Sequence, residues 1–216
     1  MRAVIFDLDG VLLDSESVWD EVRRELAERA GRPWPDEATR AMQGMSTPEW
    51  SGYLAETVGI AGRPELLAEQ VIAMMAERYE RSLPLIAGAE EAVNRLGVRW
   101  QLGLASSSPR SLIDTVLRTA GLDDMFEVTV STEEVPAGKP FPAVYQEAVG
   151  LLGVPPHETA PIEDSSNGLR SAQAAGVMVI ALPHEAFPPA EDALALADAR
   201  VANLDDLTVE LIESLG

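Results

Sequence analysis

The chain opens with an apolar run, Ala3-Val4-Ile5-Phe6, that breaks at Asp7-Leu8-Asp9-Gly10. A short run with β-branched residues at its centre, closed by Asp and Gly, predicts a buried strand ending in a carboxylate-bearing loop. From there to about residue 82 the spacing is helical. After the N-cap candidates Asp14-Ser15-Glu16-Ser17, the residues Val18, Val22, Leu26 and Ala30 recur on one face until Gly31 stops the run. Short helical segments are expected over 37–43 and 48–58, the second opened by the cap-like Ser46-Thr47-Pro48-Glu49. A longer helix is expected over Pro64–Ser82, with Leu67, Val71, Met74 and Met75 on one side.

From Gly88 the pattern alternates. Helices are predicted over Ala89–Leu96, Pro109–Ala120, Phe141–Leu152, Gly168–Ala175, Ala190–Ala197 and Asp205–Leu215, and strands over Trp100–Ala105, Phe126–Ser131, Thr159–Ile162, Val177–Ala181 and Ala199–Ala202. Alternating helix and strand imply an α/β protein with a parallel sheet covered on both faces. The helical block is then an insert after the first strand, which gives two expected units: a core of residues 1–13 and 84–216, and a helical unit of residues 14–83.

Composition narrows the function. In 216 residues, 46% hydrophobic, there is enough apolar material for a sizeable core. The net charge of −20, from 36 acidic and 16 basic residues, argues against binding a nucleic-acid backbone, which requires a basic face. Any anionic substrate must therefore be met by local positive charge or by a metal. The absence of cysteine excludes a thiol nucleophile, a disulfide framework and a Cys-based zinc site. No apolar run approaches the roughly 18 residues of a membrane span, and no secretory leader precedes the first strand, so a cytoplasmic protein, monomeric or weakly dimeric, is expected.

Candidate chemistry lies where predicted strands stop. Ligands of open parallel sheets bind at the carboxyl ends of the strands, which places Asp7 and Asp9 in the crevice. Two neighbouring carboxylates repel unless a cation or proton intervenes, and a hard ion such as Mg2+ suits oxygen donors. The same tetrapeptide also reads as an ordinary turn. Ser106 follows another strand, just ahead of a helix whose first N–H groups favour an anion. Glu163 and Asp164 form a second acidic pair at a strand end, although Asp164 and Ser165 also read as a helix cap. Of the 16 basic residues 15 are arginine, and the one lysine, Lys139, stands in Gly138-Lys139-Pro140 before a helix. A compact ammonium there can reach a phosphoryl oxygen and an aspartate together.

Four stretches in order, Asp7-Leu8-Asp9-Gly10-Val11, Leu104-Ala105-Ser106-Ser107-Ser108, Gly138-Lys139-Pro140 and Ile162-Glu163-Asp164-Ser165-Ser166-Asn167-Gly168, resemble the motifs of the haloacid dehalogenase-like hydrolases. The resemblance implies a Rossmannoid core with a four-helix cap that closes over it. It also implies a mechanism: Asp7 as nucleophile, Asp9 as acid and base, and Ser106 with the Ser107 N–H and Lys139 binding the phosphoryl group. Mg2+ would be held by Asp7, the Asp9 carbonyl and Asp164, with Glu163 supporting. The implied substrate is a small phosphorylated metabolite, a sugar or polyol phosphate, hydrolysed through an aspartyl-phosphate.

Within that family, Asp9 and the Glu163-Asp164 pair argue against a metal-free dehalogenase, and a cap without lysine argues against a phosphonoacetaldehyde hydrolase. Trp19 and Thr47 stand where β-phosphoglucomutases carry histidine and arginine, which weakens a mutase reading. Asp14-Ser15-Glu16, Trp19-Asp20 and Lys139-Pro140-Phe141-Pro142 look like the hexitol and 2-deoxyglucose-6-phosphate phosphatases. Glu16, Trp19, Met45 and Tyr79 are the candidate contacts to the leaving group, and each also reads as packing or helix surface. A non-catalytic phospho-ligand sensor would be marked by a lost nucleophile or metal carboxylate, and none is lost. A Ser-His-Asp hydrolase finds no support around His157 or His184.

Overall fold

The computed structural model describes residues 1–42, 45–184 and 188–216. After strand β1 (Ala3–Phe6) come four helices, α1 (Glu16–Arg29), α2 (Ala38–Met42), α3 (Thr47–Glu56) and α4 (Pro64–Arg81). Then follow α5 (Ala89–Gly97), β2 (Gln101–Ser106), α6 (Arg110–Ala120), β3 (Val128–Ser131), α7 (Ala143–Leu152), β4 (Thr159–Glu163) and α8 (Ser166–Ala174). The chain closes with β5 (Ile180–Ala181), α9 (Glu191–Leu194), β6 (Ala199–Arg200) and α10 (Val209–Ser214). The α/β fold class read from the alternation is the observed one.

The six strands form one parallel sheet in the order β3-β2-β1-β4-β5-β6. Strand side chains alternate between faces, and β1 shows the consequence. Val4 and Phe6 enter the apolar layer built with Ala92, Val93 and Leu96 of α5 and Leu112, Ile113 and Val116 of α6. Ala3 and Ile5 enter the opposite layer, with Val144, Tyr145 and Ala148 of α7 and Leu169 and Ala172 of α8. Burying a Val, Ile or Phe side chain in this way contributes about 1.5–3 kcal/mol, so the strand carrying Asp7 is anchored from both sides.

The helices α1 to α4 leave the sheet and return along one path. Asp14 donates its N–H to the Pro84 carbonyl at 2.9 Å, and Ile86 donates to that of Leu12 at 2.9 Å. Helix α4 packs against α1, α3 and α6. The start of α3 follows the expected capping chemistry, the Ser46 N–H donating to the Glu49 carboxylate at 2.8 Å. The helix expected over 37–43 is observed as Ala38–Met42, and residue 43 lies outside the described residues.

Two expectations are corrected. The strand expected over Val177–Ala181 pairs only at Ile180–Ala181, although Val177 and Val179 are buried, because burial does not require ladder pairing. The closing helix expected over Asp205–Leu215 begins only at Val209, where the Thr208 hydroxyl accepts the Leu211 N–H at 3.2 Å. Asn203 caps a separate single turn before it. Among the described residues no helix is long and apolar enough to cross a membrane.

Candidate active site

Asp7 directly follows β1, its N–H still paired with the Ile162 carbonyl at 3.1 Å, and its carboxylate is buried. The end of β4 brings Glu163 and Asp164 beside it. Oxygens of Asp7, Glu163 and Asp164 all lie within 4.8 Å of one another. Lys139 enters from the loop before α7, its Nζ 2.9 Å from Asp7 Oδ1 and 2.5 Å from Glu163 Oε1, and it donates to the Ala105 carbonyl at 3.0 Å. Three oxygens thus surround an ammonium with three N–H groups. The Tyr145 hydroxyl donates to the same Glu163 oxygen, which fixes that carboxylate from the α7 side.

One ammonium faces three carboxylates, Asp7 and Glu163 buried and Asp164 half-buried, and the proton affinities follow. Burial pushes the Asp7 carboxyl up to about 7, with Lys139 opposing and Glu163 and Asp9 adding to the rise. Asp164 is raised well above the usual carboxylate range, first by burial and then by Asp7 and Glu163. Burial alone would lower Lys139, but Asp7 and Glu163 outweigh it and hold the ammonium firmly protonated. The arrangement is short of positive charge. Asp164 Oδ1 is also buried without a hydrogen-bond partner. An orphaned oxygen inside an all-oxygen donor set fits a hard divalent cation such as Mg2+.

Two glycines shape this cluster. Gly10 has φ of 83°, and a Cβ there would fall 1.9 Å from Asp164 Oδ2. At Gly168 a Cβ would fall 1.8 Å from Glu163 Oε2. Each glycine therefore admits one of the two acidic side chains.

Asp9 is held differently. The hydroxyls of Ser15 and Ser108 donate to its two oxygens, each at 2.5 Å. The Ser106 hydroxyl accepts the Ser108 N–H at 3.0 Å, and the Ser131 hydroxyl donates to the Ser108 carbonyl at 2.7 Å. Ser106 is completely buried at the end of β2, while Ser107 beside it is exposed. The ends of β1, β2, β3 and β4 all converge on this spot, as expected for an open parallel sheet.

A family model described as haloacid dehalogenase-like hydrolase matches residues 1–176. The chain belongs to that family. Hexitol phosphatase B of Escherichia coli (strain K12) is 33% identical to this hydrolase over 217 residues, covering 96% of this chain and 95% of the relative. The phosphorylated carbohydrates phosphatase of Thermotoga maritima is 33% identical over 178 residues, covering 82% of each chain. The crystal structure of β-phosphoglucomutase from Clostridium difficile superposes with a TM-score of 0.80 at 21% identity, covering 100% of this chain and 96% of that one, a likeness of fold.

The helical insert of the hydrolase supplies the remaining candidates. Glu16 lies half-buried in the first turn of α1, its carboxyl raised by burial and then by Asp9. Trp19 is buried against Trp50, ring centroids 5.9 Å apart, with the Arg23 guanidinium 4.9 Å and 5.0 Å from the two rings. Tyr79 is buried near Ser15 and Asp9, and its hydroxyl is pushed up first by burial and then by the Asp9 charge. Met45 packs half-buried on the apolar core. Sequence reasoning missed the bond from Ser108 to Asp9, took Ser15 only as a helix-cap candidate, and gave no part to Arg23, Ser131 or Tyr145. The polar side chain of Arg23 at the i+4 position from Trp19 was the one available signal.

Proposed function

We propose that this hydrolase removes the phosphoryl group from small phosphorylated metabolites, sugar or polyol phosphates, through a covalent aspartyl-phosphate on Asp7. The supporting observation is the placement of the one lysine of the chain between the carboxylates of Asp7 and Glu163 at a strand end. In this reading Asp7, Asp164 and the Asp9 carbonyl would hold Mg2+, with Glu163 supporting. Bound there, Mg2+ neutralises charge on the phosphoryl oxygens and favours the ionised form of Asp7.

The chain's own groups carry the steps. A carboxylate oxygen of Asp7 attacks phosphorus, and the bond from phosphorus to the ester oxygen breaks. Protonated Asp9 gives its proton to the departing oxygen. It then takes one from the water that attacks the aspartyl-phosphate, releasing phosphate and restoring Asp7. The Ser15 and Ser108 hydroxyls can accept as well as donate, so Asp9 keeps its partners in both protonation states. Ser106 and the Ser107 N–H orient the phosphoryl oxygens while Lys139 offsets their charge. Residues 14–83 act as a cap that excludes water, and Glu16, Trp19, Met45 and Tyr79 border the leaving group.

The alternative is a sugar-phosphate mutase, which must shield its aspartyl-phosphate until a sugar hydroxyl accepts the group back. Trp19 and Thr47 supply no charge for that task. The test is product analysis by 31P NMR with a hexitol 6-phosphate and with β-glucose 1-phosphate plus a bisphosphate primer, both with Mg2+. Inorganic phosphate is expected as the main product. Isomerised sugar phosphate with little free phosphate would establish the mutase instead.

A further inference from the structure

Arg23 on α1 is buried to 7% exposure, its guanidinium against the rings of Trp19 and Trp50. A buried cation is costly unless paired. Yet its Nε has no hydrogen-bond partner, and among the described residues no carboxylate reaches it at ion-pair distance. The acids that act on it do so through space, Glu16 first, then Asp20 and Asp9. Asp20 is already engaged by Arg24 at 2.5 Å and by the Thr39 hydroxyl. That leaves Arg23, buried, and Glu16, half-buried, opposite charges that act on each other and on Asp9 through space without closing into a pair.

The rings of Trp19 and Trp50 lie 4.9 Å and 5.0 Å from the guanidinium carbon, and the buried Nε–H between these contacts is left unpaired. What suits an unpaired guanidinium N–H beside acidic groups is set by charge. A ligand with a second anionic group would meet the carboxylates of Asp9 and Glu16 beside the Arg23 guanidinium, Asp20 being held by Arg24. An uncharged hydroxyl accepts from the guanidinium and donates to the carboxylate, satisfying both.

We propose that Arg23 and Glu16 form the subsite for the leaving group, and that the alcohol released is an uncharged polyol whose hydroxyls accept from Arg23 and donate to Glu16. This deepens, and rests on, the phosphatase reading above. Arg23 touches the substrate away from the reacting atoms and selects by what it leaves unpaired when the hydroxyl is missing.

The experiment compares sorbitol 6-phosphate, fructose 1,6-bisphosphate and ethyl phosphate by kcat/KM for phosphate release with Mg2+. The wild-type protein is expected to prefer sorbitol 6-phosphate. In Arg23→Met the ratio of kcat/KM for sorbitol 6-phosphate to that for ethyl phosphate is expected to fall about 10- to 100-fold, as for lost hydrogen bonds from a charged donor. Arg23→Lys keeps the stem and charge between the indoles but not the fork, and is expected to lower the same ratio even where the methionine variant fails to fold. An unchanged ratio in the folded variants makes Arg23 a packing residue and overturns the proposal. A wild-type preference for the bisphosphate overturns it too, by showing a subsite for a second anion. No phosphate from any of the three compounds would overturn the phosphatase reading itself, and this inference with it.

Discussion

Gly10→Ala tests whether Asp164 must stand where it does. The substitution acts twice: the backbone at φ of 83° costs a residue with a Cβ about 1–2 kcal/mol, and the new methyl would overlap Asp164 Oδ2 at 1.9 Å. The carboxylate must swing away, taking the orphaned Oδ1 out of the cluster with Asp7 and Glu163. Gly121→Ala separates the two effects, because its φ is 66° and a Cβ there meets nothing within 4 Å. For a chain of this size the backbone cost lowers Tm by about 2–8 °C in either variant. Only Gly10→Ala should also raise the Mg2+ concentration for half-maximal activity, by about 10- to 100-fold, the range seen when the support of a metal ligand is lost. Circular dichroism melts and Mg2+ titrations of phosphate release read the two effects. If Gly10→Ala melts and titrates like Gly121→Ala, the position of Asp164 is not what the metal requires.

Asp7→Asn should leave the circular dichroism spectrum unchanged and lower phosphate release about a thousandfold or more; release at an appreciable fraction of the wild-type rate would sink the nucleophile assignment. EDTA should stop turnover and Mg2+ restore it, whereas Ca2+, with looser geometry, should occupy the site without supporting efficient transfer. Because the Asp7 and Asp164 carboxyls are raised, the metal-free site carries protons near neutrality that a cation must expel. Mg2+ affinity should therefore rise with pH through about 7, with proton release visible by calorimetry in buffers of different ionisation enthalpy. Affinity that stays flat between about pH 6 and pH 8 would show those carboxyls already ionised.

What could be read in advance follows from how locally each feature is encoded. The strand at Ala3–Phe6, the capping at Ser46 and the singular Lys139 are signalled by adjacent residues or by composition. The bond from Ser108 to Asp9 joins two strand ends distant in the chain, so no local pattern announces it. Arg23 looks like a solvent-facing residue of an amphipathic helix until Trp50, from another helix, covers it. Val177 to Ala181 shows the converse limit: an apolar run reports burial, while pairing depends on where the neighbouring strand lies.

The sheet order also constrains when this protein becomes an enzyme during its own synthesis. The first strand made, β1, finds its partners only at Gln101–Leu104 and Thr159–Ile162. The helices from Glu16 to Arg81 can form early from local contacts, but the segment bearing Asp7 has no ladder on its second side until β4 has left the ribosome. Such non-local closure is slow and leaves an apolar strand exposed meanwhile. A truncated chain ending before Thr159 would then present Ala3–Phe6 with one open edge, a template for aggregation. Asp7 and Glu163 come together in the same late event, so catalytic competence arrives with the closing of the sheet.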